Sequence, residues 1–161
     1  QRVAKLVLCC TSSGGAGGAS YPLHELKGLS LEEYARLVIT LADNRRDATW
    51  QATHAQEFQT LLNDTLTGLK IGADEPGRAM GARRQIEARK DHDTYSRLPT
   101  LQLPTLICGG RDDGIASVDN QYAMQKQIPN ARVELFDVGH LFFAQDPQAY
   151  ERVIGFMREK R

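Results

Sequence analysis

The run Thr105-Leu106-Ile107-Cys108, entered through Pro104 and left through Gly109-Gly110, restricts the fold more than any other feature of the chain. After its first residue it is apolar without alternation. A strand covered on both faces requires that, and such strands occur in parallel sheets flanked by helices. Leu6-Val7-Leu8-Cys9-Cys10 has the same continuous character. Arg132-Val133-Glu134-Leu135-Phe136 alternates at first, which gives it a wetter face and places it at a sheet edge. Between the second and third runs, Ser117 is positioned to cap a helix passing through Tyr122, Ala123 and Met124 to Gln127. Strand, helix and strand in that order make a βαβ unit with a right-handed crossover. After the third run, Asp146-Pro147 reads as an N-cap and a first helical position. Tyr150, Val153, Ile154 and Met157 then follow at i, i+3, i+4 and i+7 as one face of a closing helix. The fold class is α/β.

Residues 21–100 read differently. Ser30-Leu31-Glu32-Glu33 has the form of a capping box, with Tyr34, Leu37, Val38 and Leu41 as an apolar stripe behind it. Thr53 to Asn63 predicts a second helix with Phe58, Leu61 and Leu62 inward. Gly77 to Asp93 predicts a third, polar and rich in arginine, with only Ala79, Met80, Ala82 and Ile86 to bury. No strand pattern appears here, so a helical insertion separates the first strand from the βαβ unit. The expected division is residues 1–20 with 101–161 as the α/β core and 21–100 as the insertion. Trp50 and Phe58 hold core-like positions in the insertion and are also candidates to line a substrate pocket, as is Phe142 beside His140.

Composition removes several function classes. Twenty Lys+Arg against twenty Asp+Glu leave the 161 residues formally neutral, without the footprint of a nucleic-acid or anionic-membrane binder. No apolar stretch approaches the roughly 18 residues of a membrane span. Cys9, Cys10 and Cys108 are an odd number without zinc-site spacing, so they are expected to be reduced thiols of a cytoplasmic protein. Gly15-x-Gly17-x-x-Ser20 is a fragment of a phosphate cradle, lacking the third glycine and the helix behind it, and no cofactor is expected. Asp91-His92-Asp93 cannot turn three adjacent side chains to one ion from a helix, so no metal site is expected. His24 and His54 are isolated and read as structural or surface residues. The chain begins at Gln1 rather than Met, which points to a processed or truncated product.

Chemistry concentrates at two strand ends. The second strand leaves through Gly109-Gly110-Arg111-Asp112-Asp113-Gly114, and the third through Asp137-Val138-Gly139-His140. In an open parallel sheet, ligands and catalytic groups gather at the carboxyl ends of the strands. Loops leaving neighbouring strands at one edge bring their side chains into contact. A carboxylate there can accept the imidazole N–H of a histidine, fixing its tautomer and stabilising the imidazolium.

These residues resemble the α/β-hydrolase fold family. Leu103 to Asp113 is similar to its penultimate strand followed by the acid of the triad, with Asp113, three residues after Gly110, in the acid's usual place. Gly139-His140, with Asp146-Pro147 opening the last helix, is similar to its catalytic-histidine segment. Arg2 to Leu8 resembles its sixth strand, and Tyr21 to Thr100 stands where its helical cap lies. The resemblance implies a partial hydrolase fold of about three parallel strands, ordered as strands 6-7-8 of the family, with flanking helices and an all-helical cap.

One departure is decisive for activity. The family's nucleophile sits on a G-x-S-x-G elbow before the acid and the histidine, and this sequence contains none. The resemblance therefore implies a serine hydrolase of small esters, lactones or related acyl compounds, with Asp113 and His140 here and the serine on an N-terminal half outside this chain. Alone, the chain is expected to be inactive. A non-catalytic binding module or oligomerising half-domain is the alternative. A third reading makes Ser12, in Cys10-Thr11-Ser12-Ser13-Gly14, the nucleophile of a degenerate elbow. Against it, Gly14, Gly15, Gly17 and Gly18 begin a helix poorly, at about 1 kcal/mol each relative to alanine. Leu6 to Cys10 is an apolar strand with nothing upstream to pair with. It is expected to recruit either a second copy, giving a dimer, or an N-terminal half.

Overall fold

The computed structural model describes residues 2–160. Gln1 and Arg161, the outermost residues of the expected α/β portion, lie outside them. Strands β1 (Leu6–Cys9), β2 (Thr105–Gly110) and β3 (Ala131–Phe136) form one parallel sheet in the order β1-β2-β3. Leu6 pairs with Thr105 and Cys9 with Cys108, while Thr105 pairs with Ala131 and Gly110 with Phe136. The middle strand is buried at every position, as its unbroken apolar run demands. β3 is an edge, as its alternation indicates. β1 forms the other edge with all four residues half-buried.

The strand pleat sends successive side chains to opposite faces. Val7, Cys9, Leu106 and Cys108 face Phe136, Phe142, Ala149 and Phe156. On the other face Leu8 and Ile107 meet Met124, Ile128 and Leu98.

Between β1 and β2 the chain forms α1 (Leu31–Ala42), α2 (Ala48–Thr53), α3 (Ala55–Lys70) and α4 (Arg78–Glu87), with α5 (Val118–Gln127) crossing from β2 to β3. Helices α6 (Phe142–Gln145) and α7 (Gln148–Arg158) complete it. The capping box is complete: Glu33 N–H donates to Ser30 Oγ at 3.2 Å, and Ser30 N–H donates to Glu33 Oε2 at 2.8 Å.

Several local expectations shift. In α1 the inward residues are Ala35, Ile39 and Leu41, because α1 and α3 meet through Ala35 and Ile39 against Phe58 and Leu62. The second expected helix, Thr53 to Asn63, is α3, which starts at Ala55 and runs on to Lys70. The unforeseen α2 precedes it and is divided from it at His54, whose φ of −120° and ψ of 42° leave the helical region. α4 is shorter than its arginine-rich stretch and buries no residue completely. Ser117 precedes α5, but its side chain makes no capping bond. In α7 the buried residues are Ala149 and Phe156, packed beneath Phe142, whereas Tyr150, Ile154 and Met157 stay exposed. Val153 of the expected stripe does pack against that cluster, so the buried face is Ala149, Val153 and Phe156.

Candidate active site

Asp113 stands on the loop after β2. Its Oδ1 accepts the N–H groups of Ile115 and Ala116, both at 2.8 Å. That leaves Oδ2 for His140, whose Nδ1 lies 2.9 Å away on the loop after β3. The Asp113 side chain is fully shielded, while that of His140 is 27% exposed. The imidazole therefore bridges a sealed carboxylate and an open cavity that it helps to line.

Backbone proximity sets this geometry. Arg111 N–H donates to Phe136 O at 2.9 Å and Asp112 N–H to Val138 O at 3.1 Å, joining the two loops. Gly110 has no room for a side chain, since a Cβ there would collide with the carbonyl oxygens of Val138 and Gly139. A Cβ on Gly139 would strike Ala42 O, and one on Gly114 would strike Asn44 and Leu41 O. The C-terminal end of α1 is thus wedged against both loops. Gly114 N–H donates to Leu41 O at 2.9 Å, Asn44 N–H to Asp112 O at 2.9 Å and His140 N–H to Ala42 O at 2.6 Å.

The anchor at that junction was not legible in the sequence. Asp43, 1% exposed, accepts bonds from Arg45 Nε at 2.8 Å, Arg45 Nη2 at 2.7 Å and Gln145 Nε2 at 3.0 Å. Burial pushes its carboxyl upward, but the hydrogen bonds and charge of Arg45 outweigh that and hold it below the usual carboxylate range. A buried Asp closing a helix was the one available signal, and burial is visible only once the fold is known.

Cys10 follows β1 with a φ of +44°, in the left-handed region that non-glycine residues seldom adopt. This turn aims its Sγ at His140 O, to which it donates at 3.1 Å. Burial and the neighbouring Asp113 charge push the thiol up to about 12. The Cys10 Sγ, a carboxylate oxygen of Asp113 and a ring nitrogen of His140 lie within 4.8 Å of one another. Zinc takes these donor types, yet the thiol stays protonated and both other groups are engaged with each other.

A cavity of about 760 Å³ opens on His140 and is lined by Cys10, Thr11, Ser12 and Ser20 together with Arg89, Lys90 and His92. Ser12 is beside His140 in this cavity, but its hydroxyl bonds to Ser20 Oγ at 3.0 Å, and no bond to His140 is present among the described residues. The glycine segment behind it makes only a three-residue 3₁₀ turn, Gly15–Gly17. Thr94 N–H ties it down by donating to Ser13 O at 2.7 Å. His24, expected to be structural or superficial, lines the cavity.

Trp50, Phe58 and Phe142 do not line it. Phe58 is buried between α1 and α3, and Trp50 packs against that cluster and stacks on His54 with centroids 5.0 Å apart. Phe142 is 2% exposed beneath the sheet and stacks on Phe136. Each large ring is taken up by the nearest apolar core, which offers more contact area than an open cavity wall.

Comparison with known proteins agrees with this architecture. The model of the alpha/beta hydrolase fold matches residues 1–147. A poly(3-hydroxyalkanoate) depolymerase of Ectopseudomonas oleovorans is 26% identical over a 170-residue alignment covering 100% of this chain and 54% of that protein. An enol-lactonase from Burkholderia xenovorans LB400 superposes with a TM-score of 0.68 at 16% identity, over 98% of this chain and 57% of that one. A hydrolase from Pseudomonas aeruginosa PA01 does so with a TM-score of 0.71 at 20% identity, over 99% and 57%. The chain spans about half the length of the relatives it matches. With its parallel sheet, helical insertion and two strand-end loops matched by the family model, this chain belongs to the α/β-hydrolase fold family.

Proposed function

We propose that this chain supplies the acid and base of a serine hydrolase acting on a small ester, lactone or related acyl compound. The observation that carries the reading is the 2.9 Å contact between sealed Asp113 and His140, which lines a cavity. A serine from a segment outside these 161 residues attacks the acyl carbonyl. His140 takes the serine proton and returns it to the leaving group, and Asp113 holds the tautomer and stabilises the imidazolium. Residues 21–100 serve as the cap that roofs the substrate, and residues 1–20 with 101–161 as part of the core. Without the nucleophile and oxyanion hole, the chain alone is inactive.

The test uses p-nitrophenyl butyrate. The 161-residue chain should turn it over no faster than its His140→Ala variant. Joined to a segment carrying a G-x-S-x-G elbow, it should gain turnover that His140→Ala abolishes. Turnover in the joined protein that survives His140→Ala overturns the reading. Turnover by the chain alone that Ser12→Ala removes reassigns the nucleophile to Ser12.

A further inference from the structure

We infer that the cavity in front of His140 takes an acyl substrate bearing a carboxylate remote from the scissile bond, held by Arg89 and Lys90. This rests on the hydrolase reading of the site and adds the charge of its substrate. Arg89, Lys90 and His92 enter the cavity wall from the segment that follows α4 and share it with Cys10, Thr11, Ser12 and His140. The side chains of Arg89 and Lys90 have no hydrogen-bond or ion-pair partner among the described residues, whereas Arg83 on α4 pairs with Glu87 at 3.7 Å.

No Asp or Glu lines the cavity, although the chain as a whole is neutral. The acids nearby are accounted for. Asp113 is sealed and bonded to His140, Ile115 and Ala116. Asp93 turns its carboxylate to Gly15 and accepts Tyr95 N–H at 3.0 Å. Glu25 and Glu87 line the adjoining groove of about 990 Å³, which Lys90, His24 and Leu23 also line, and Asp91 is not in the wall of either. Lys90 thus stands between the two spaces, while Arg89 lines only the cavity, and an anion there meets Arg89 with no carboxylate in the cavity wall among the described residues. A guanidinium in a concave wall gives a carboxylate paired, charge-assisted bonds, and cleft walls concentrate the field. The volume of about 760 Å³ lies within the roughly 300–1,000 Å³ usual for small-molecule sites.

Two cations after a helix also complement its dipole. That role alone predicts a loss of stability on neutralisation and no ligand preference, so binding separates the two. The ¹⁵N-labelled chain is titrated with monomethyl glutarate, which carries one ester and one carboxylate, and with dimethyl glutarate, which carries no charge. The monoester should bind about tenfold more tightly and shift the amides of Arg89 to His92 together with that of His140. The Arg89→Gln/Lys90→Gln double variant should reduce the preference to within about twofold, while the charge-conserving Arg89→Lys/Lys90→Arg variant should keep most of it. Equal affinity for the two esters, a preference surviving in the Gln variant, or shifts confined to His140 would each overturn the inference. Absence of hydrolysis in the joined protein, with the binding preference intact, defeats the hydrolase reading and leaves the anion subsite standing.

Discussion

The Gln145 side-chain amide donates to Asp43 Oδ2 at 3.0 Å, and its carbonyl oxygen accepts Gly139 N–H at 3.0 Å. One side chain thus ties the residue before His140 to the end of α1. Arg45 closes the circuit by bonding both Asp43 and Asp137 O. His140 is held in place by the helical insertion as well as by the loop after its own strand.

Asp43→Asn should therefore destabilise the fold in a pH-dependent way. A carboxyl held below its ordinary value stabilises the folded chain above the unfolded value, about 3.9 for Asp. That contribution disappears as pH falls through the folded value. Urea denaturation at pH 7 should show a loss of about 2 kcal/mol. The gap should narrow below about pH 4; a gap constant down to pH 2.5 would contradict the assignment.

Asp113→Asn should separate chemistry from folding. The asparagine oxygen can still accept from Ile115 and Ala116, but its amide would face His140 Nδ1 as a donor and reverse the tautomer. In the joined protein kcat should fall about 10⁴-fold, with the melting temperature changed by only a few degrees. A fall below tenfold would remove Asp113 from the reaction.

Two glycine substitutions should act in opposite directions. Gly139→Ala drives a Cβ into Ala42 O and should cost about 3 kcal/mol. Gly155→Ala, in α7 with nothing within 4 Å of its new methyl, should stabilise by about 0.5–1 kcal/mol. Chemical denaturation of both variants measures the contrast.

The three thiols should differ in reactivity. The Cys108 thiol donates to Cys9, holding Cys9 below its ordinary value and raising Cys108, which burial raises further. Cys10 is pushed up to about 12. The thiolate is the reactive form, so at pH 8 iodoacetamide should label Cys9 first, with Cys10 and fully buried Cys108 far behind. Peptide mass spectrometry gives the order, and early labelling of Cys10 would contradict its raised value.

We propose that β1 recruits a second copy of the chain. It pairs only with β2 and leaves its other edge unmatched among the described residues, and its four residues are half-buried. Paired edges satisfy the backbone and bury side chains together. Light scattering should report a dimer; a monomer at high concentration with fast-exchanging amides in Leu6–Cys9 would exclude it.

The sheet was readable because β2 carries no polar residue after Thr105, and the Asp113 and His140 positions followed from where β2 and β3 end. The Asp43 anchor was not readable, since Asp43, Gln145 and Asp137 are scattered through the chain and meet only after the insertion docks. Trp50, Phe58 and Phe142 misled for a related reason. Sequence shows that a large ring must be buried, but not whether a core or a cavity wall will bury it. The face of α7 is not legible in the sequence because apolar residues lie on several sides of the helix, and only docking on the cluster around Phe142 selects Ala149, Val153 and Phe156.

The wedge of α1 against the two loops also bears on motion. Leu41 to Asn44 are bonded to the loops that carry Asp113 and His140, so a displacement of that end of the insertion would disturb their contact. α4 and the segment after it bury nothing completely, and no backbone hydrogen bond joins them to those two loops among the described residues. The insertion should then show a gradient of breathing, with amide exchange slow near Ile39 to Arg45 and rapid from Arg78 to His92. Its loose part can shift while Asp113 and His140 keep their spacing.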